Sequence, residues 1–321
     1  KTDVLLLQVS EPDADGHVSL GVSVDYMRAV LAQSPLVVAE INPRMPRTCG
    51  DSVLHVSQIS LCIDATEPPQ PLPLSTGDDV DCRIAQNVAG LLEDGAVLQV
   101  GIGSVPHQVL SRIGHLRHRG LHSGIVTDAI RPLIESGVID NSTKARFTGV
   151  SVTTMAAGAQ DFYDFLHRNP AIEFHTCART HDRSFLATID GLSAINSALQ
   201  VDLAGQVNAE RANGRLISLP GGLPDFAAGA SRAHGGKSII ALRSSFANGT
   251  QSNIVARLSD DVPVTVGADA VDFVVTEYGV AALRGRTAAE RAKALIAVAH
   301  PVHRERLERE LAAPALLETT R

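Results

Sequence analysis

Apolar positions along the chain recur at two spacings, and the spacing changes from one short segment to the next. Near the start, the runs Val4–Val9, Leu36–Glu40 and Ile59–Ala65 have strand character, with a helical stretch around Tyr26–Ala32 between the first two. Val80, Ile84, Val88, Leu91 and Leu92 then recur at helical spacing, and the apolar strand Val97–Val100 runs into a glycine turn. The alternation returns with a strand over Leu121–Val126, a helix over Asp128–Ser136, the β-branched Val150–Thr154 and a helix over Gln160–His167. Further strands are expected at Leu192–Asn196, Leu216–Leu219, Ser238–Leu242 and Phe273–Thr276. Helices follow over Thr287–Ala299 and, after Pro301, through Arg304–Leu311. Strands alternating with helices predict an α/β fold built from open, mainly parallel sheets.

One stretch interrupts this rhythm. Residues 67–79, EPPQPLPLSTGDD, hold four prolines in six positions and then turn formers, which predicts an extended linker. The expected organisation is therefore the remainder of an N-terminal domain over 1–66, the linker over 67–79 and a C-terminal domain over 80–321. The first residue is Lys1 and a strand begins almost at once, so the N-terminal domain is expected to be incomplete in this chain. Val4–Val9 would then leave an open sheet edge, and we expect either a homo-oligomer or pairing with a missing N-terminal segment.

Composition narrows the classes. Hydrophobic residues make up 44% of the chain but aromatics only 3%, with no Trp, so the core must be built from Val, Leu, Ile and Ala, as suits a buried parallel sheet. A net charge of −7, with no basic cluster interleaved with aromatics, gives no reason to expect nucleic acid as a partner. Cys49, Cys62, Cys82 and Cys177 lie far apart, which argues against a zinc site and a disulfide framework and for a reducing cytoplasm. No apolar stretch approaches the length of a membrane span, and Asp13 and Asp15 beside Gly16 have too few oxygen ligands after them for a calcium loop. No metal and no permanently bound cofactor is expected.

Gly101-Ile102-Gly103-Ser104-Val105-Pro106 follows a strand and leads into a helix start. Its glycines let main-chain N–H groups approach an anion or a developing oxyanion, although a tight strand-to-helix turn needs glycine for packing as well. The turn is followed in order by LHSGIVTDA, YDFLHRNPAIEF, INSALQVDLAGQVNAE, PGGLPDFAAGAS and VVTEYGVAALRGRTAAERAKALIAVAHP, and preceded by QVSEPDADGHVSLGVSVDY and AEINPRMPRTCGDSVLHVS. In this order and spacing the motifs resemble the acetyl-CoA hydrolase/4-hydroxybutyrate CoA-transferase family along nearly the whole chain.

The resemblance implies two CoA-transferase-like α/β domains, a CoA or acyl-CoA substrate, and a small carboxylate or other acyl acceptor. It also implies a glutamate that attacks the thioester and becomes a glutamyl-CoA adduct. By the same resemblance Gly101, Ile102, Gly103, Ser104 and Val105 lie against CoA, and Leu199, Gly221 and Gly222 match further CoA-contacting positions. The nucleophile follows His-Ser in the family, and Gly124 stands at that place here; the family's glycine-glycine-glutamine stretch reads Gly221-Gly222-Leu223. These departures point to thioester hydrolysis or transfer without a glutamyl-CoA intermediate, or to a catalytically silent CoA-binding subunit.

Three residues remain as candidates for chemistry beside Gly124. His122 is either a general base for water or a histidine hydrogen-bonded for structure. Glu277 and Glu40 fall at strand ends, where open α/β sheets collect active-site groups and where caps and ion pairs also occur. Glu173, at an alternating strand position, is expected to face solvent. Ser104 and Ser123 show no activating partner, so a serine hydrolase is not expected.

Overall fold

The computed structural model describes residues 2–72 and 77–312, so residues 73–76 of the expected linker lie outside the described residues. The chain forms two compact units, each assembled from separated stretches: residues 1–74, 97–100 and 116–182 in the first, and 75–96, 101–115 and 183–321 in the second.

In the first unit the strands Val4–Val9, Leu36–Ile41 and Leu61–Asp64 form a parallel sheet in that order, with Val4 opposite Leu36 and Val38 opposite Leu61. Alternation decides which side is covered: Leu5, Leu7, Val9, Val37 and Ala39 are buried. The opposite face carries Leu6 at 73% exposure, Leu61 at 58% and Ile63 at 56%. A second parallel sheet orders Ser151–Thr153, Ile172–Phe174 and Cys49–Gly50. Gly50 has φ 93°, and a Cβ there would stand 2.5 Å from the Phe174 carbonyl oxygen, so only glycine lets this edge close.

The expected strand Leu121–Val126 is divided. Gly120–Leu121 pairs with Val97–Val100, whereas Ile125–Thr127 pairs with Met155–Ala157. His122 to Gly124 carry the chain from one ladder to the other. The helix expected over Asp128–Ser136 is a 3₁₀ turn over Asp128–Ile130 followed by a short α-helix over Arg131–Glu135, with Pro132 in its first turn.

The second unit has a sheet of parallel strands Leu192–Ser197, Lys237–Ala241 and Phe273–Thr276, closed by the antiparallel edge Gly279–Ala282. Val201, Ile240, Val274, Ala281, Leu295 and Leu307 belong to its continuous apolar core. The helix Asp79–Ala89 starts on Asp78, whose carboxylate accepts from the Val80 and Asp81 N–H groups. Thr287 and Glu290 form a reciprocal capping box that starts the helix Ala288–Val298. The strand expected over Leu216–Leu219 is not formed. Arg215–Leu216 makes a two-residue hairpin arm, and Ile217 and Ser218 instead donate to the Glu210 carbonyl on the way to Pro220. Apolar character misled there because Leu216, Ile217 and Leu219 are exposed.

Among the described residues no helix is long and apolar enough to cross a membrane.

Asp272 ties this unit together at a nearly buried point. It accepts from Arg284 Nε at 2.6 Å, Arg284 Nη2 at 2.7 Å and the Ser238 N–H at 2.8 Å. Replacing it with Ala strands the buried Ser238 N–H and unpairs Arg284, which is about half exposed and can turn to water, so Asp272→Ala should lower unfolding stability by about 1–3 kcal/mol. Urea denaturation followed by circular dichroism checks this; a change under about 0.5 kcal/mol would refute it.

Candidate functional site

The glycine turn lies in the second unit. The Gly101 N–H donates to the Ile195 carbonyl at 3.0 Å, so that donor is spent on holding the turn against the end of a neighbouring strand. Gly103 has φ 129° and ψ 179°, a conformation that L side chains rarely adopt, and it caps the helix Ser104–Leu110. Ile102 is half exposed in front of this helix start, while Val105 and Pro106 are buried behind it. No side chain caps this helix start, and the first-turn N–H groups of a helix have no intrahelical partner, which is the chemistry an anion or oxyanion requires.

Leu199 sits between the strands Leu192–Ser197 and Gln200–Asp202, its N–H bonded to the Asn208 carbonyl at 2.9 Å. Gly221, at φ 54°, faces open space, and Gly222 is the N-cap of the helix Leu223–Arg232. Leu223 belongs to the apolar core of the unit. Both oxygens of Glu277 are engaged by one residue, accepting from the Ser244 N–H at 2.9 Å and the Ser244 hydroxyl at 2.6 Å.

Gly124, His122 and Ser123 lie in the first unit. Gly124 is half buried, and its carbonyl accepts from the Met155 N–H at 3.2 Å. The Ser123 hydroxyl bonds to the carbonyls of Val100 and Ile125 at 3.1 and 2.8 Å, so it serves the backbone. His122 is fully buried, with Nε2 3.0 Å from the Thr180 carbonyl oxygen. A carbonyl only accepts, so Nε2 carries the proton. Burial pushes this imidazole down to about 3, helped by the nearby charges of Lys144, His181 and His175 and opposed by the bond to Thr180. Such a ring is neutral at physiological pH and closed to solvent, which suits the structural reading of His122 better than the general-base reading.

Two features near it were missed in the sequence. Lys144 stands in a polar stretch that looks like a surface loop, yet it is buried, its Nζ donating to the carbonyls of Leu121 and Val150 at 3.0 and 2.7 Å. Burial lowers it to about 7, with Glu173 pulling the other way. A neutral amine still has the two N–H groups these carbonyls need. The second feature is His175, clamped between Asp51 Oδ2 at 2.9 Å and Glu173 Oε2 at 2.8 Å. The i, i+2 spacing of Glu173 and His175 is the signal that both leave the chain on one side. Burial disfavours the Asp51 carboxylate, but the hydrogen bond and charge of His175, with Arg179 and Arg28, outweigh it and hold the group below its ordinary value. In the same unit Glu40 accepts from Gln8 Nε2 at 2.5 Å. Among the described residues no group of His, Cys, Asp or Glu gathers as a metal site.

Residues 1–74 match the family model of the acetyl-CoA hydrolase/transferase N-terminal domain, and residues 158–311 that of the acetyl-CoA hydrolase/transferase C-terminal domain. A 4-hydroxybutyrate coenzyme A transferase of Clostridium kluyveri is 42% identical over 308 residues, spanning 96% of this chain and 72% of that protein. The crystal structure of 4-hydroxybutyrate CoA-transferase from Porphyromonas gingivalis superposes with a TM-score of 0.86 at 38% identity, over 96% of this chain and 74% of that one. RipA from Yersinia pestis superposes with a TM-score of 0.92 at 34% identity, over 98% and 71%.

The depressed values of His122 and Lys144 make a joint prediction. Between its folded and ordinary values each group binds its proton in the unfolded chain but not in the folded one, so stability rises with pH across that window. The window runs from about 3 to 6.5 for His122 and from about 7 to 10.5 for Lys144. Urea midpoints measured across pH should climb in the upper window, and Lys144→Met should remove that climb while narrowing the acid-side one, because His122 loses a positive charge that helps to depress it. A midpoint that falls through the upper window in the unaltered protein, or a climb unchanged in Lys144→Met, contradicts the assignment.

Proposed function

The chain belongs to the acetyl-CoA hydrolase/transferase family, and from that premise we propose that it binds an acyl-CoA and cleaves or transfers the acyl group without a glutamyl-CoA intermediate. The observation that carries the binding part is the Gly101–Val105 turn, where Gly103 at φ 129° opens a helix in a conformation reserved for glycine. Gly101, Ile102, Gly103, Ser104, Val105, Leu199, Gly221 and Gly222 are the proposed CoA contacts. The segment 67–79 is kept as the proposed boundary between the N-terminal remainder and the C-terminal domain.

Gly124 stands where the family resemblance puts the attacking glutamate, and a hydrogen atom cannot serve as a nucleophile. In the proposed reaction, water or another acceptor hydroxyl adds to the thioester carbonyl and gives its proton to a base. The tetrahedral oxyanion is held by N–H groups ahead of the Ser104–Leu110 helix, and its collapse expels the CoA thiolate, which takes up a proton. His122 in the first unit and Glu277 in the second are the proposed candidates for the base, in addition to position 124, with a small carboxylate as the alternative acceptor.

A second reading, a catalytically silent CoA-binding subunit, draws support from specific bonds. His122 is buried on Thr180, and both oxygens of Glu277 are held by Ser244. Turnover on a panel of acyl-CoAs, with and without acetate, separates the two readings.

Association is part of the same proposal. Leu6, Leu61 and Ile63 expose one face of the first parallel sheet, and Val4–Val9 is its edge strand. Either a second copy or the segment by which the relatives exceed this chain would cover them. Light scattering on the 321-residue chain should give a mass above the monomer's, whereas a dispersed, stable monomer would count against it.

Covalent chemistry gives the sharpest check. Incubation with acetyl-CoA and borohydride should leave the intact mass unchanged, because position 124 has no carboxylate to acylate. Gly124→Glu should restore a trappable adduct and raise transfer to acetate by at least about tenfold. A CoA adduct on the unaltered chain, mapped to Glu173 or Glu277, would mean that the nucleophile has moved.

A further inference from the structure

The apolar cavity of about 450 Å³ in the first unit, walled by Leu6, Met27, Met45 and Met155 among others, borders the face already assigned to association. The second unit holds a charged arrangement of a different kind, and it sits against the proposed CoA turn.

Arg243 follows the strand Lys237–Ala241, at the end of a parallel sheet where α/β folds collect functional groups. Its guanidinium serves two carboxylates, with Nε donating to Asp81 Oδ1 at 2.9 Å and Nη2 to Asp78 Oδ1 at 2.9 Å. Asp81 lies in the first turn of the helix Asp79–Ala89 with 4% of its side chain exposed, so water does little to screen it. Asp78, the cap of that helix, is more than half exposed, and Asp79 is exposed as well.

Gly77 shows how near this group is to the turn. A Cβ there, where φ is 72°, would stand 2.9 Å from Asp81 Oδ2 and 3.2 Å from Ser104 Cβ. Two atoms that close to one point lie within about 6 Å of each other, a range at which unit charges interact strongly. Every residue of this arrangement belongs to the second unit, as do the proposed CoA contacts.

A carboxylate beside Ser104 works against any anion held at the turn, and CoA is a polyanion. Arg243 supplies the compensating charge. Its backbone is fixed in turn: the Arg243 carbonyl accepts from Asn253 Nδ2 at 2.9 Å, and the next residue, Ser244, holds both oxygens of Glu277.

We propose that Arg243 is a positioning residue of the CoA turn: by pairing with Asp81 and Asp78 it cancels the negative charge beside Ser104, so that an anionic ligand can be held there. It acts through the carboxylates and makes no contact with CoA itself. The inference rests on the CoA-binding reading above and adds a residue outside the turn on which that binding depends.

Calorimetry with free CoA on the unaltered chain and its variants tests this. Arg243→Met keeps the apolar stem and leaves Asp81 uncompensated. It should weaken CoA binding by at least about tenfold at 10 mM salt, where charges are screened only beyond ~30 Å. At 1 M salt, with a screening length of ~3 Å, the ratio of dissociation constants should shrink to about threefold or less. Adding Asp81→Asn to Arg243→Met should bring low-salt binding back to within about threefold of the unaltered chain. If Arg243→Met melts early, Asp81→Asn alone decides: it leaves the guanidinium in excess and should tighten CoA binding at 10 mM salt, whereas a clasp that served only to hold the fold would loosen it. CoA affinity unchanged by Arg243→Met, a loss that persists at 1 M salt and is not recovered by Asp81→Asn, or weaker binding by Asp81→Asn alone overturns the inference while the CoA reading stands. Failure of the unaltered chain to bind CoA overturns both.

Discussion

A backbone that leaves one sheet for another strands its carbonyls in an apolar interior, and in this protein that problem is concentrated between Leu121 and Ile125. Each carbonyl there must find a donor within the fold or forfeit the hydrogen bond it had in water. Lys144 supplies one to Leu121 and one to Val150, the single Ser123 hydroxyl proton lies between the carbonyls of Ile125 and Val100, the first being nearer, and Met155 N–H meets Gly124. His122 reaches across to the Thr180 carbonyl. The charged and polar side chains at the centre of the first unit are therefore fixed by the backbone they satisfy. Position 124 inherits its place from that scaffold whichever residue occupies it.

This explains what the sequence disclosed and what it withheld. The period-two and helical patterns identified the strands from Val4 to Phe273 and the capped helices, because burial of alternating or stripe positions is written into residue type. The division of Leu121–Val126 was hidden, since a continuous apolar run does not say that its two ends pair with different partners. Lys144 was hidden for a related reason: a lysine is usually exposed, and only three-dimensional placement of two orphan carbonyls makes a buried amine useful. Leu216–Leu219 failed in the opposite direction, with apolar residues that stay at the surface on the approach to Pro220.

For the candidate site, family resemblance carried further than local chemistry. The Gly101–Val105 turn was visible as a motif, and the structure adds that Gly103 there takes φ 129°, a conformation L side chains rarely adopt. Glu277 stood out at a strand end and His122 beside position 124, but their bonds to Ser244 and Thr180 depend on contacts far along the chain. Glu173 was expected to face water, and instead about a third of its side chain does, with the rest committed to His175. Spacing can place such a carboxylate on a face; it cannot say what waits there.

The gathering of Met27, Met45 and Met155 around one cavity has a consequence for damage. In most proteins thioether oxidation is scattered, and its effects average over many surroundings. Here every sulfoxide that forms would add a polar, chiral oxygen to the same apolar wall. Oxidant exposure would thus harm one locality and leave the core of the second unit chemically untouched at methionine. The extent of sulfoxidation, read from the intact mass, becomes a gauge of how open that locality is to solvent, and anything occupying it would slow the reaction at all three sulfurs together.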